Sequence, residues 1–122
     1  MQYMMLIYES FKNLEARTTD KTSPSVAAWR AYHRSLVESG VFVGGAPLQS
    51  GASATTVRVR DATRDVQDGP YAETKELLAG VTILELPSLD AALDWAARCP
   101  AAATGAVEVR PIDSELLAAV VT

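Results

Sequence analysis

Few side chains in this sequence can start chemistry. The segment DGPYAETKE, residues 68–76, sets a carboxylate, Asp68, before a Gly-Pro turn, an aromatic ring at Tyr71 and further charges. A carboxylate facing a cleft serves as a general base when burial or a partner moves its pKa towards the working pH. An Asp that opens a turn instead accepts hydrogen bonds from that turn, which is the commoner role of Asp before Gly. Both roles stay open for Asp68. His33, the sole histidine, could move protons near neutrality; a lone histidine on an apolar helical stripe is more often a core residue. Trp29, Tyr32, Tyr71 and Tyr8 could wall a small apolar or planar ligand, with Arg58 or Arg60 fixing an anionic group. Core packing accounts for Trp29 and Tyr8 equally well. Glu73, Lys75 and Glu76 read as a solvated helical turn or as a rim contact with a second subunit.

Other chemistries find no support. One histidine, one cysteine and no CxxC pair leave nothing to build a metal site, and no carboxylate loop has suitable spacing. No metal and no cofactor are expected. Glycine-rich phosphate loops and nucleophile elbows are absent, which removes nucleotide and serine-hydrolase readings. Cys99 falls near the C-terminal, electrically negative end of a helix, a place that disfavours a thiolate, so it reads as structural.

The positioning scaffold is a single domain: 122 residues, 48% hydrophobic and 21% charged, suit one soluble globular core. A net charge of −4 with no basic cluster argues against nucleic acid as a partner. The opening MQYMMLIYES lacks a basic lead-in, and no stretch approaches the roughly 20 apolar residues of a membrane span. A lone cysteine suits a reducing compartment, so the expected location is the cytoplasm, away from any membrane.

Residues 2–9 are apolar on both parities, as in a strand covered on two sides. A polar, poorly patterned stretch follows, and then Ser23-Pro24 opens a helix that Gly40 closes. Its apolar stripe is predicted to hold Val26, Trp29, His33, Leu36 and Val37. VFVGGAPL reads as a strand broken at Gly44-Gly45, and TTVRVRD as a strand with Val57 and Val59 on one face. DATRDVQDGP turns back as a hairpin near residues 62–64. GVTILELP is a second strand apolar on both faces. Ser88 caps a helix that buries Leu89, Leu93 and Ala96 and stops at Pro100; AVEVRPI is the last strand. The tail from Asp113 suits a short helix or an arm.

This order predicts an α+β fold of ferredoxin-like split βαβ type, enlarged by an extra β-hairpin. In that topology the first and third basic strands are central, and these are the two segments apolar on both faces. Two helices cover one face of the sheet only. The other face is expected to pack against a second copy, giving a homodimer with a shared, dimeric α+β barrel.

The stretches MQYMMLIYES, ATTVRVRD, VQDGPYAETKELLAG, SLDAALDWAARCPAA and GAVEVRPI together resemble the DGPF-domain proteins, a branch of the YCII-related family. The likeness runs over residues 1–112 as one domain, with 113–122 as a C-terminal extension; Tyr71 stands where the family usually has phenylalanine. The resemblance implies a dimeric α+β barrel with a cleft beside its sheet and a largely uncharacterised role. Family members often neighbour genes for extracytoplasmic-function sigma factors, which suggests a regulatory setting. In YCII-type relatives a histidine near the start of the first helix and a later aspartate are regarded as the active pair. Asp68 matches the aspartate, but Trp29 occupies the histidine's approximate place, and His33 lies one turn further on. The pair therefore does not carry over intact. The resulting expectation is a small-molecule binder whose cleft draws on Trp29, Tyr71 and Arg58. If it is an enzyme, it acts by cofactor-free proton transfer or elimination through Asp68 and His33. The alternative is a non-catalytic ligand sensor or regulator tied to such a sigma factor.

Overall fold

A computed structural model describes residues 1–72 and 74–122, with all their side chains except those of Arg17 and Thr18. Strand β1, Gln2–Ser10, alternates strictly: Tyr3, Met5, Ile7 and Glu9 are buried, and Met4, Leu6 and Tyr8 are half-buried on the opposite face. It passes without a loop into α1, Phe11–Thr19. Ser10 ends the strand and caps the helix, its hydroxyl accepting from the Asn13 N–H at 3.2 Å. This helix replaces the unpatterned stretch expected there. Among its described side chains only Leu14 is fully buried, so it offers little apolar repeat for periodicity to detect.

Helix α2, Pro24–Glu38, starts as the sequence indicates, with the Ser23 hydroxyl accepting from the Val26 N–H at 3.3 Å. It closes at Gly40, whose φ of 73° favours glycine. The buried stripe is partly rotated from the expected one: Leu36 enters the core as expected and Trp29 packs against it, but Tyr32 is the other buried residue, whereas His33 and Val37 are exposed. The reason is Tyr32, whose hydroxyl donates to the Trp95 carbonyl at 2.7 Å and whose ring stands edge-on between Trp29 and Trp95.

The chain continues through β2 (Phe42–Pro47), a single 3-10 turn at Gly51–Ser53, β3 (Thr55–Arg60), β4 (Thr63–Asp68) and β5 (Glu76–Glu85). It ends with α3 (Leu89–Arg98), α4 (Ala101–Thr104), β6 (Ala106–Pro111) and α5 (Ser114–Val121). Lys75 and Glu76 are exposed, and Glu76 opens β5 instead of a helical turn; Glu73 lies outside the described residues.

The main sheet has the order β2-β5-β1-β6, antiparallel throughout, with β1 and β5 central as expected for the split βαβ topology. Strands β3 and β4 form a separate hairpin. Its turn falls at Asp61 and Ala62, with φ of 51° and 62°, the double positive-φ geometry of a type I′ turn built without glycine. Val57 pairs across the hairpin with Val66, and both are exposed, as is Val59.

The core lies between the helices and the face carrying Tyr3, Met5, Ile7 and Leu84. Helix α3 presents Ala92 and Ala96 to it, with Trp95 packed alongside, and leaves Leu89 and Leu93 exposed. Of the expected face only Ala96 is buried: small alanines let this helix lie close to the sheet, and Tyr32 claims the Trp95 side. Cys99 is buried at the helix end, where burial pushes its thiol up to about 11.

The opposite face of the sheet holds Met4, Leu6 and Tyr8, paired with Ile83, Val81 and Leu78 on β5. Beside it, the Glu108–Arg110 ion pair closes at 2.7 Å and the Tyr8 hydroxyl donates to Glu108 at 3.3 Å. Helix α5 buries no residue; Leu116, Leu117, Val120 and Val121 are all exposed.

Candidate functional site: the cavity beneath the second helix

A cavity of about 460 Å³ opens between α2 and the β2–β5 side of the sheet. From α2 come Val26, Trp29 and His33; from β2, Phe42. The His33 ring stands edge-on to Phe42, with centroids 4.7 Å apart and planes at 80°. Hence rotation of the helix, which takes His33 out of the core, sets it at the cavity instead. Lys21, from the loop before α2, and Arg30 complete the cationic lining, and no described Asp or Glu shares it.

Two glycines shape the sheet side. The β2–β5 register slips between Phe42 and Gly44, and Gly45 follows with φ of 156°. A Cβ at Gly45 would run into the Val81 carbonyl oxygen, and one at Gly80 would come within 3.0 Å of the Ala46 carbonyl oxygen. Gly45 requires glycine for the close approach of the two strands and Gly80 sits tightly against the same partner, while Ala46, Pro47, Val81 and Thr82 supply the side chains of that stretch of wall.

A second cavity, about 670 Å³, lies between residues 48–54 and the DGPY segment, lined by Tyr8, Leu48, Pro70, Tyr71, Leu77 and Leu78. Tyr71 is 77% exposed, and the Arg58 guanidinium sits 5.0 Å above its ring. Asp68 lines neither cavity. It is the exposed last residue of β4, next to Gly69, whose φ of 103° makes the turn. That turn is held by the Gly69 N–H donating to the Ala54 carbonyl at 2.7 Å and by Thr56 Oγ1 donating to the Gly69 carbonyl at 2.9 Å.

The five residues singled out from sequence therefore fall into separate places. Trp29 and His33 meet at one cavity, Tyr71 lines the other with Arg58 stacked on its ring, and Asp68 joins neither group. Lys21, Arg30, Phe42, Gly45 and Gly80 were missed. The Gly44-Gly45 break was visible as a strand interruption, but nothing marked Lys21 or Arg30, because a cation becomes notable only by what it faces. Among the described residues no group of three or more His, Cys, Asp and Glu could hold a metal ion, and no helix is long and apolar enough to cross a membrane.

Residues 1–114 match the YCII-related domain. The chain belongs to the YCII-related family. A relative of this YCII-related chain, an uncharacterised protein of Rhizobium meliloti (strain 1021), is 35% identical over 114 residues, covering 92% of each chain. A solved structure of similar fold is 5-chloro-2-hydroxyhydroquinone dehydrochlorinase (TftG) from Burkholderia phenoliruptrix AC1100, in complex with 2,5-dihydroxybenzoquinone. The TM-score is 0.54 at 17% identity, over 93% of this chain and 94% of that one. At that identity the likeness is one of fold.

Proposed function

We propose that this YCII-related protein binds a small organic molecule in the cavity beneath α2 and acts on it by cofactor-free proton transfer or elimination, with His33 as the proton-transfer group. The observation that carries this reading is the placement of the lone histidine at an apolar cavity of ligand size, beside Trp29 and Phe42. The dehydrochlorinase of similar fold, bound to a small quinone, supports the reaction class by analogy. Asp68 is read as part of the DGP turn, and the DGPYAETKE segment with its neighbours supports a reading of the chain as DGPF type. Residues 113–122 are read as a C-terminal extension of the same domain, a reading supported by the lack of any buried residue in α5.

The reading includes a homodimer in which the Met4–Leu6–Tyr8 face closes a shared α+β barrel. A monomer of 13.0 kDa exposes about 6,300 Å² by size scaling, whereas this chain exposes 8225 Å². The excess, roughly 1,900 Å² on the same scaling, exceeds the ~800 Å² that a standard interface removes from each partner. The open sheet face, the hairpin valines and α5 are the apolar surfaces left to cover.

A thermal-shift series with 2,5-dihydroxybenzoquinone and related hydroxyquinones tests the site. Ligand-dependent stabilisation is expected in the wild type and in His33→Gln, with turnover lost only in the variant; turnover that survives in His33→Gln refutes the assignment. Asp68→Asn should keep turnover. Light scattering tests the assembly, and a monomer at micromolar concentration ends the barrel reading. A binding protein without turnover remains the second reading, favoured by the absence of any described carboxylate at the His33 cavity.

A further inference from the structure

We infer that the cavity beneath α2 selects an aromatic carboxylate, a flat apolar body with one anionic end, and that Lys21 and Arg30 hold that end. The inference rests on the reading of this cavity as a ligand site and adds the ligand's charge and shape.

The protein carries a net −4, yet Lys21, Arg30 and His33 gather at one cavity with no described acid among them. Among the described residues the ion pairs are Met1–Glu85 and Glu108–Arg110, so neither Lys21 nor Arg30 has a carboxylate within pairing distance. Asp20 adjoins Lys21 in sequence, but its carboxylate accepts from the Thr22 N–H at 2.9 Å and the Thr22 hydroxyl at 2.7 Å. Lys21 and Arg30 are exposed cations without a described carboxylate partner, and beside an apolar wall they bias the potential at the opening to positive. A planar guanidinium fork matches a carboxylate in two parallel hydrogen bonds, and an ammonium adds a point charge.

Val26, Trp29 and Phe42 are apolar, and the sheet side is built from glycines and small or apolar residues, Gly45, Ala46, Gly80 and Val81. Such a wall suits the face of a flat ring, and the volume of about 460 Å³ admits one or two fused rings. A ligand that is charged all round would strand polar groups against Phe42 and Trp29, whereas a neutral one would leave both cations without a counter-charge.

The test is titration of the full-length protein, by calorimetry, with 2-naphthoate and its neutral analogue 2-naphthamide. Naphthoate is expected to bind about ten-fold tighter or better, the value of one charge-assisted hydrogen bond pair. The preference should shrink at about 0.5 M NaCl, where rim charges are screened. In a Lys21→Gln, Arg30→Gln double variant the preference should vanish while naphthamide binding is retained. Equal affinity for both probes in the wild type, or a preference that survives the double substitution, overturns the anion inference and leaves the cavity reading standing. If neither probe binds, the cavity reading falls and the inference with it.

Discussion

Glu9 is a buried carboxylate that no described cation pairs with. It is 6% exposed, on the helix-facing side of β1, and among the described residues no basic group lies within pairing distance. Its oxygens accept from the Thr104 hydroxyl at 3.1 and 3.3 Å and from the Asn13 amide at 3.4 Å. The side chain therefore ties both α4 and α1 to the central strand. Glu9→Gln keeps the length and one acceptor, and its amide can donate to the Thr104 oxygen, so a change of less than ~1 kcal/mol is expected. Glu9→Ala leaves two donors without an acceptor, at about 1–3 kcal/mol for the part-buried pair, and opens a void that adds roughly 1 kcal/mol. With about 2.1 cal/mol/K of unfolding entropy per residue, each kcal/mol moves Tm by about 4 °C in a chain of this size. Thermal unfolding followed by circular dichroism should place Glu9→Ala about 8–15 °C below wild type, and Glu9→Gln within about 4 °C. If Glu9→Ala melts within about 2 °C of wild type, water replaces the carboxylate freely and the tie does not exist.

Two further outcomes follow from local geometry. Gly45→Ala forces a Cβ onto the Val81 carbonyl at a φ that L-residues rarely adopt, so a Tm loss of about 8 °C or more is expected together with weakened ligand binding. Gly44→Ala, where nothing lies within 4 Å, is the matched control and should cost under ~1 kcal/mol; equal losses at both sites would show that strand propensity, not the close approach, sets the effect. The Cys99 thiol is raised from 9.0 to about 11, chiefly by burial. Its contribution to stability is thus intact below pH 9 and lost as pH climbs through 11, because the unfolded thiol ionises first. Denaturant midpoints for wild type and Cys99→Ala should converge across that window, and a constant gap would contradict the assignment. Native protein at pH 8 should also resist Ellman's reagent until unfolded.

The sheet was legible because its signal is redundant. Alternation in β1 and β5, apolar on both faces, gives centrality, and the Ser23-Pro24, Gly40 and Ser88 signals fix the helix ends. Helix rotation was not legible. A stripe through His33 and Val37 is as regular as one through Tyr32 and Leu36, and the choice is made by a tertiary hydrogen bond from Tyr32 to a carbonyl 63 positions away. Helix α1 escaped detection because a local cap and one leucine suffice to hold it. The site was half visible for the same reason: residue type marked Trp29 and His33, whereas Lys21 and Gly80 gain meaning only once α2 and β5 lie side by side. Asp68 was conspicuous as chemistry, yet Gly69, Thr56 and Ala54 show its neighbourhood to be a well-bonded turn.

The β3–β4 hairpin leaves and re-enters the body at one point, where the Gly69 N–H meets the Ala54 carbonyl. Because that clasp closes its base, the four-stranded sheet owes it no ladder bond, and the projecting tip can diverge freely between relatives without disturbing the α2 cavity. Such an appendage is a natural place to graft a new epitope.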